Sequence, residues 1–513
     1  MEFSLFLHYI LLLIVFALSF YLYLVFPQQQ KKPSNNNVDG FRIYPIVGAL
    51  PDFWRNRRRF LDWTVEVLSN SLNNTAYFVR PIKLQGLLTA SPSNVEYILK
   101  TNFENYTKGK RFTSILEDFL GQGIFNSDGD LWKVQRKTAS YEFNTRSLRN
   151  FVMDNVKAEL STRLIPILSR AAEMKKVVDF QDLLERFAFD NICKVAFNVD
   201  PACLGRDGTA GSEFMQAFEE AALLSSNRFL SVFQLTWKFK KFFNLGTERK
   251  LKRSISAVHK FADQIIRSRM EEKTDKKDED LLSRFIGNFD RSPEFLRDIV
   301  ISFILAGRDT TSSALSSFFL LLSSNPNVQR NILKELEATR ALSGKKIGDT
   351  YSFDELRDMQ YLHAAISEAL RLYPPVAINT KACNVDDTLP DGTVVRKGWF
   401  VTYVAYAMGR MENLWGEDCR EFKPERWLEN GICRHKSSYK FSAFHAGPRV
   451  CLGKDMAYIQ MKSIAASVIE RFEIDVLDKD KNPERVLSLT LRMKDGWRVR
   501  VKERITGASA VES

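Results

Sequence analysis

Residues 444–453 read FHAGPRVCLG, and this stretch holds the residues best suited to chemistry. A Gly-Pro pair breaks regular structure before Cys451, and the periodic run 454–471 predicts a helix that begins just after it. The dipole and free N–H groups of a helix N-terminus stabilise a thiolate, a soft anionic ligand suited to iron. Arg449 could place a cation beside an acidic group of a cofactor. A lone cysteine beside a helix is more often a buried structural residue, so the spacing of the whole stretch decides the interpretation.

The stretch matches every fixed position of Phe-x-x-Gly-x-Arg-x-Cys-x-Gly, the haem-binding signature of the cytochrome P450 superfamily. The chain therefore resembles a haem-thiolate monooxygenase. The resemblance implies that Cys451 is the axial thiolate ligand of the iron of haem b. It also implies that Arg449 pairs with a haem propionate and that Phe444 packs beside the sulfur. Gly447 and Gly453 complete the cofactor-binding signature.

Trp132 and Arg136 stand four residues apart, on one face of a predicted helix, where both side chains could reach one anion. Taken alone, the pair is better interpreted as a surface cation–π contact. Beside a haem signature, the resemblance to a family motif favours a propionate as the common partner.

Asp309 and Thr310 lie in AGRDTT, residues 306–311, inside a helix predicted over residues 292–324 and about 48 Å long at 1.5 Å per residue. The middle of this helix is apolar on nearly all sides, so we expect it in the core. Burying an acid and hydroxyls there is energetically costly, which suggests that they have a function. Thr311 is expected to bond back to the carbonyl four residues earlier; for Asp309 and Thr310 that interpretation is rejected. The run resembles the family's oxygen-binding helix, in which the glycine opens a groove for O2 and the acid–alcohol pair relays protons.

Glu368 and Arg371 occur in a helical stretch that follows a capping box, Ser352-x-x-Glu355. A Glu–Arg pair three residues apart usually lies on the surface and contributes little stability. Here it resembles the family's Glu-x-x-Arg, and Arg426 in FKPERW completes a triad. The resemblance implies a structural role, in which the triad locks the chain beneath the haem.

The composition is that of an ordinary globular protein of 513 residues, with 45% hydrophobic and 27% charged residues. The net charge of +12 suits an anionic membrane surface or an acidic partner protein, and a generally basic surface explains it equally well. The basic cluster at residues 55–59 lacks interleaved aromatics, so nucleic acid is not an expected partner. Six cysteines without C-x-x-C spacing favour a reducing compartment.

Residues 3–26 are almost wholly apolar and long enough to cross a bilayer, so they are interpreted as a transmembrane anchor. The run is too long for a signal peptide, and it has neither a basic start nor a cleavage site. Lysines follow the run, which predicts a single-pass protein of the endoplasmic reticulum membrane with its catalytic domain in the cytosol. We expect a linker and proline-rich hinge at 27–52, the haem-thiolate domain at 53–504 and a tail at 505–513.

The expected fold is mostly α with small β-sheets, a cytochrome P450 fold behind the N-terminal transmembrane helix. Apolar runs between turn signals place a small sheet between residues 53 and 100. Turns at 390–392 and 495–496 are each flanked by β-rich runs and predict two hairpins.

The resemblance implies a monooxygenase that receives NADPH electrons through a membrane-bound cytochrome reductase, with cytochrome b5 as an optional second donor. It would hydroxylate an unactivated C–H bond. A haem electron carrier or sensor is the alternative from a different class, but it has no use for Asp309 and Thr310. A haem-thiolate isomerase or dehydratase that needs no O2 is disfavoured by the same pair.

Shorter sequence segments, such as residues 143–149 and 405–410, resemble those of the plant branch that hydroxylates the terminal carbon of fatty acids. The same branch includes oxidases of jasmonoyl-amino acids and of sterol side chains. We expect substrate to be lined by residues 112–125, by 303–310 and by the segment after the double proline, Val376, Ala377, Ile378 and Asn379. Asn379 stands where the branch commonly has an acid, so an uncharged, larger substrate such as an oxygenated sterol rivals a fatty acid.

Overall fold

The computed structural model describes residues 11–17, 19, 41–45, 47–80, 84–143, 146–205, 211–231, 234–271, 280–288, 292–477 and 483–504. Most of the predicted anchor at 3–26, much of the linker and the tail at 505–513 lie outside these ranges. Among the described residues, no helix is both long enough and apolar enough to cross a bilayer.

Helices make up most of the described chain, as predicted. The α-helices are α1 (Leu50–Arg55), α2 (Phe60–Ser69), α3 (Pro92–Glu96), α4 (Gly109–Leu120), α5 (Gly129–Phe143), α6 (Arg146–Glu159), α7 (Ile165–Glu173), α8 (Phe180–Phe197), α9 (Ser212–Leu230), α10 (Gln234–Phe242), α11 (Gly246–Glu271), α12 (Leu281–Asn288), α13 (Pro293–Ile304), α14 (Thr310–Ser323), α15 (Pro326–Ser343), α16 (Phe353–Asp358), α17 (Gln360–Leu372), α18 (Ala405–Met408), α19 (Glu412–Trp415) and α20 (Lys454–Arg471). Short π-helical segments occur at Tyr97–Thr101, Leu160–Leu164 and Leu305–Asp309. Short 3-10 turns occur at Leu72–Asn74, Phe103–Asn105, Pro424–Trp427 and Gly447–Arg449.

The described strands form five small sheets. They are β1 (Thr75–Arg80), β2 (Leu84–Thr89), β3 (Tyr106–Thr107), β4 (Val177–Asp179), β5 (Asn379–Cys383), β6 (Asp387–Thr388), β7 (Val394–Val395), β8 (Phe400–Tyr403), β9 (Leu428–Glu429), β10 (Ile432–Cys433), β11 (Phe472–Val476), β12 (Arg485–Leu487), β13 (Leu491–Met493) and β14 (Arg498–Glu503). The largest sheet has the order β1-β2-β8-β5-β3, in which only β2 and β8 pair in parallel. A second sheet has the order β11-β14-β4, and the remaining pairs are β9 with β10, β12 with β13 and β6 with β7.

One of the two predicted hairpins is wrong. The turn at 390–392 joins β6 to β7 as predicted, but β13 and β14, on either side of 495–496, lie in different sheets. Asp179 explains the difference, because its carboxylate accepts the backbone N–H of Trp497 at 2.9 Å. The same carboxylate occupies the space that a side chain at Gly496 would need. The turn is therefore fastened to the start of α8 and directs the chain into the second sheet.

The long central helix runs through the core as predicted, from the capping residue Ser292 to Ser323. Its π-helical segment Leu305–Asp309 separates α13 from α14, and most side chains of both helices are buried. A Cβ at Gly307 would meet the side chain of Ile192, so this glycine permits close packing against α8. α14 packs with α17 and α20 in the largest hydrophobic cluster, which supports the end of the chain that carries Cys451.

The structure brings Glu368, Arg371 and Arg426 together in the core. Arg371 donates two hydrogen bonds to the Glu368 carboxylate, both 2.7 Å long, and Arg426 donates a third of 2.7 Å. Trp427 Nε1 adds a fourth donor at 2.8 Å. Arg371 also binds the backbone carbonyls of Gly409, Cys419 and Glu421, so one buried ion cluster joins α17 to the chain that leads to the Cys451 loop.

Arg371→Ala should strongly destabilise the protein, because it leaves Glu368 buried without its main partner. Removing one member of a buried ion pair typically costs about 3–5 kcal/mol, and urea unfolding followed by tryptophan fluorescence would measure it. Arg357→Ala is the matched control, since Arg357 pairs with Asp354 at the surface. An exposed pair contributes less than about 1 kcal/mol, so equal losses for the two variants would contradict a special role for the triad.

Candidate active site

The Cys451 loop is a tight turn held from several sides. A 3-10 turn at Gly447–Arg449 precedes the cysteine, whose backbone N–H donates to Phe444 O at 2.9 Å. Gly447 has a φ of +66°, and a Cβ there would collide with the backbone carbonyl of Leu99. A glycine is therefore required for both conformation and space. α20 begins directly after Gly453, within the boundaries that the sequence predicted.

The thiol of Cys451 is accessible to solvent, although the surrounding protein is dense. Burial raises the pKa of the Cys451 thiol, and the N–H of Gly453 and the guanidinium of Arg136 only partly oppose this effect. The helix terminus and Arg136 favour the thiolate whereas burial opposes it, so the predicted thiolate stays a prediction. A bound metal cation would favour loss of the proton.

Arg449 and Trp132 form the second part of the site. The Arg449 guanidinium stacks on the Trp132 indole, with 4.2 Å from Cζ to the ring centroid, and donates to Asp128 Oδ1 at 2.8 Å. Its Nε is buried without a hydrogen-bond partner. Arg136 is half-buried near the thiol, and burial lowers the pKa of its guanidinium. The structure thus brings the predicted residues together, with Arg449 rather than Arg136 as the cation on the indole.

Two lysines and a histidine that sequence reasoning missed complete this basic cluster. Burial first, and then Arg449, lowers the pKa of Lys108 to about 7, while burial, Lys108 and Arg449 lower the pKa of Lys381 well below its usual range. Burial also lowers the pKa of His445 to about 3. Nothing in the sequence marks these residues, because β3, β5 and the Cys451 loop meet only in the folded chain.

A cavity of about 340 Å³ extends from the central helix towards the large sheet. All four residues predicted after the double proline line it, namely Val376, Ala377, Ile378 and Asn379. From the other predicted segments, the lining includes Phe112, Leu116, Leu120, Phe125, Leu305, Ala306 and Thr310. Additional walls come from Phe53, Phe78, Phe229 and residues 487–490, which the sequence did not indicate.

The side chains of Asp309 and Thr310 line two different cavities. Thr310 lines the large cavity, and its hydroxyl donates to Ala306 O at 2.6 Å, so the back-bonded state rejected from the sequence is the one observed. Asp309 instead lines a small polar cavity of about 20 Å³, large enough for one water molecule. There its carboxylate accepts a 2.8 Å hydrogen bond from Arg308, which also pairs with Glu185. Burial raises the pKa of Asp309 to about 6 despite the Arg308 cation.

Sequence comparison decides the family. The cytochrome P450 family model matches residues 77–495, which is most of the chain. This chain belongs to the cytochrome P450 family. Accordingly, the protein is a haem-thiolate monooxygenase that uses haem b and accepts electrons, normally derived from NADPH, from a redox partner reductase.

Several plant P450s are similar over nearly their whole length. Cytochrome P450 CYP94D108 of Paris polyphylla is 52% identical over 481 residues, which cover 93% of this chain and 94% of that protein. Cytochrome P450 94A1 of Vicia sativa is 44% identical, with 92% of each chain covered. Cytochrome P450 94B1 of Arabidopsis thaliana is 43% identical, over 96% of this chain and 97% of the relative. The chain is thus a plant P450 of the CYP94 branch.

The residues of this P450 fit haem b. The iron of the cofactor takes a soft protein ligand, which the accessible thiol of Cys451 would supply. It also carries two propionate carboxylates, and the basic cluster around Arg449 has several cations with Asp128 as their acidic neighbour. The unpartnered Nε of Arg449 is a donor available to such a carboxylate.

Cys451→Ser should abolish the thiolate-type carbonyl band at ~450 nm that an axial sulfur gives reduced haem, measured on the purified variant. Cys419→Ser is the matched control, because its buried thiol donates to Arg410 O and a serine hydroxyl can replace it. A Cys451→Ser protein that retained the band would exclude this cysteine as the ligand.

Proposed function

We propose that this P450 hydroxylates the terminal carbon of an aliphatic chain, on a fatty acid or on the side chain of an oxygenated sterol, with jasmonoyl-amino acids as the alternative substrates. The observation that supports it best is the cavity, whose walls are mostly apolar from Phe53 and Phe78 to Ala306. An extended apolar space of this kind suits an aliphatic chain.

Terminal oxidation has to be imposed by geometry. A methyl C–H bond is stronger than the methylene C–H bonds beside it, so intrinsic reactivity favours the inner carbons. The protein must therefore admit the chain end first, so that only its last carbon reaches the reactive centre. Val376 and Ile378 line the cavity, as Thr310 of the central helix does, and are the side chains we expect to limit the space for the chain end.

We assign the haem-binding residues as follows. Cys451 would ligate the iron, Phe444 would pack beside the sulfur, and Gly447 and Gly453 shape the loop that presents it. Trp132, Arg136 and Arg449 would hold the propionates. When bound, haem b activates O2 with the electrons that the reductase supplies. Glu368, Arg371 and Arg426 keep the chain around this loop in place.

Protons for this chemistry would pass through the two neighbours on the central helix. Thr310 faces the large cavity and would donate its hydroxyl proton there. Asp309 would be reprotonated through the polar cavity, in which Arg308, Glu185 and Arg492 form a chain of ion pairs that ends at the partly exposed Glu219. The pKa of about 6 for Asp309 suits a group that gains and loses protons near neutrality.

We further propose that residues 3–26 anchor the protein in the endoplasmic reticulum membrane and that its electron donor is an NADPH-cytochrome reductase, with cytochrome b5 as an optional second donor. A non-catalytic electron carrier or sensor is less well supported, since it would need neither the large cavity nor Thr310. Microsomes supplied with NADPH and a fatty acid, a jasmonoyl conjugate or a 22-hydroxylated sterol, with products located by mass spectrometry, test the function directly.

Thr310→Ala and Asp309→Asn should uncouple the enzyme, because they remove the hydroxyl and the acid that deliver protons. Product formed per NADPH should fall by about 10²-fold, while NADPH is still consumed and hydrogen peroxide is released. Thr311→Ala is the control, since this neighbouring threonine lines neither cavity. A loss of coupling below about threefold in the first two variants would count against the relay.

The same experiment has a pH dependence of known sign. The Asp309 carboxyl, with its pKa raised to about 6, holds its proton below that pH and loses it above. Coupled turnover should therefore decline as pH rises through about 6, and Asp309→Asn should remove this step.

Val376→Ala and Ile378→Ala should move hydroxylation inward from the terminal carbon, because each enlarges the space in which the chain end is held. Product analysis by mass spectrometry would show the shift as a rising share of internal alcohols. Val385→Ala, at an exposed valine outside the cavity, should leave the product pattern unchanged. Mainly internal alcohols from the wild type on every substrate would refute end-first binding.

A further inference from the structure

Loop 121–127, between α4 and α5, forms part of the wall of the large cavity. Phe125 lines the cavity, as does Leu120 at the end of α4. The loop contains no helix or strand, so side chains of the neighbouring elements have to fix its position. A displacement of the loop would move Phe125 and open the wall at this place.

Hydrogen bonds within the loop and to its flanking helices set its shape. The Nδ2 of Asn126 donates to Thr113 O of α4 at 3.0 Å and to Gly121 O at 2.8 Å. From α5, the Nε2 of Gln135 donates to Gln122 O at 2.9 Å. None of these bonds reaches the central helix, which forms another part of the cavity wall.

Asp298, on α13, joins the loop to the central helix. Its Oδ2 accepts the backbone N–H of Gln122 at 2.8 Å, the one hydrogen bond between loop and central helix in the described part of the chain. Gly121 has a φ of +48°, and a Cβ there would collide with the Asp298 carboxylate. A Cβ at Gly123 would collide with the hydroxyl of Ser302, one turn further along the helix. Both glycines thus let the loop backbone approach polar side chains of one helix face.

The loop is the main partner of this polar helix face. The neighbouring cation, Arg297, pairs with Asp263 of α11 at 2.9 Å, and Asp298 forms no ion pair among the described residues. The hydroxyl of Ser302 is fully buried and has no hydrogen-bond partner. The link between helix and loop is therefore one charge-assisted hydrogen bond, which can break while the bonds to α4 and α5 persist.

We propose that Asp298 is a positioning residue that latches loop 121–127 to the central helix, and that release of this latch admits substrate to the large cavity. This rests on the proposed function, because the cavity is taken as the substrate space. With its bonds to α4 and α5 intact, the loop would hinge on these helices and carry Phe125 out of the wall. Lid movements of this kind set the rate at which ligands enter and leave an enclosed site.

The strength of the latch depends on the charge of one carboxyl group. Burial raises the pKa of Asp298 to about 6, although the N–H of Gln122 and the cation of Arg297 oppose this effect; Glu294 adds to it. An ionised carboxylate is the stronger acceptor for an N–H group. The latch is therefore strong above about pH 6 and weakens as the pH falls through that value.

The other charged groups around this carboxyl have partners of their own. Loop 121–127 has no ionisable side chain. On α11, Asp263 and His259 interact with Arg297, and burial lowers the pKa of His259. On α4, Asp118 pairs with Arg228 at 2.8 Å. The pH dependence of the latch thus comes from Asp298 itself.

Two measurements on the purified, haem-loaded enzyme test the latch without turnover and without a known substrate. Amide hydrogen exchange at Gln122, followed by mass spectrometry, reports the bond directly. Stopped-flow association of n-butyl isocyanide, an uncharged ligand of reduced haem iron that shifts the Soret band, reports entry into the cavity. Asp298→Asn keeps the shape and an acceptor but not the charge, whereas Asp298→Ala removes the acceptor. Asp354→Asn is the matched control, at an exposed aspartate that pairs with Arg357.

At neutral pH, Asp298→Ala should speed exchange at Gln122 by about 10- to 100-fold, the effect of losing a hydrogen bond to a charged group. Asp298→Asn should speed it by about three- to tenfold, because an uncharged acceptor remains. Isocyanide association should become faster in the same order, and Asp354→Asn should change neither rate. In the wild type, association should become faster as the pH falls through about 6, and Asp298→Asn should remove this step.

Unchanged exchange at Gln122 in Asp298→Ala would overturn the latch, and faster exchange with unchanged isocyanide association would overturn its role in entry. Should Asp298→Ala misfold, the nearly isosteric Asp298→Asn and the wild-type pH profile carry the test. A wild-type association rate that stays constant across pH 6 would also contradict the proposal. The two hypotheses fail separately. If isocyanide entry depends on Asp298 but no fatty acid, jasmonoyl conjugate or sterol is oxidised, the latch stands and the proposed function is refuted.

Discussion

The position of the Cys451 thiol is the constraint on which the rest of the site depends. Burial raises the pKa of this thiol and a bound metal cation would favour loss of its proton, so the loop has to hold the sulfur where a metal could reach it. The 3-10 turn, the close approach of Gly447 to Leu99 and the start of α20 leave this loop little freedom. The buried Glu368 cluster extends the same rigidity to the chain before the loop. Precise placement of the Cys451 sulfur thus requires several helices and loops to be held in fixed positions.

Uncompensated positive charge is the second organising feature. In a low-dielectric interior, cations without acids are costly unless an anionic ligand joins them. The cluster of Lys108, Lys381 and Arg449 has Asp128 as an acidic neighbour but holds more cations than that single acid offsets. An anionic group bound beside the cluster would offset the excess, as the haem propionates would.

On the central helix, the side chains of two consecutive residues, Asp309 and Thr310, lie in different environments. Adjacent residues on a helix do not face the same side, so Asp309 and Thr310 open into separate cavities. The Thr310 hydroxyl still reaches Ala306 O, across the π-helical segment that ends at Asp309. In the proposed mechanism, protons would pass through the polar cavity and substrate would occupy the apolar one. Ser488 and Thr490 line both cavities and join them at one wall.

Local patterns alone determined the ligand loop, the boundaries of α20, the span of the central helix, the capping box and the mainly helical class. Each of these depends on residues close in the chain, where capping, turn chemistry and periodicity act directly. The sequence also supplied the members of the ion triad through its resemblance to the family. Only the tertiary structure decided the rest. The pKa of Cys451 depends on burial, and the cation that stacks on Trp132 depends on how the Cys451 loop packs against α5. The predicted hairpin at 495–496 does not form, because Asp179 binds the turn. Lys108 and Lys381 have no local signature, because their low pKa values arise only when distant strands and helices bury them together with Arg449.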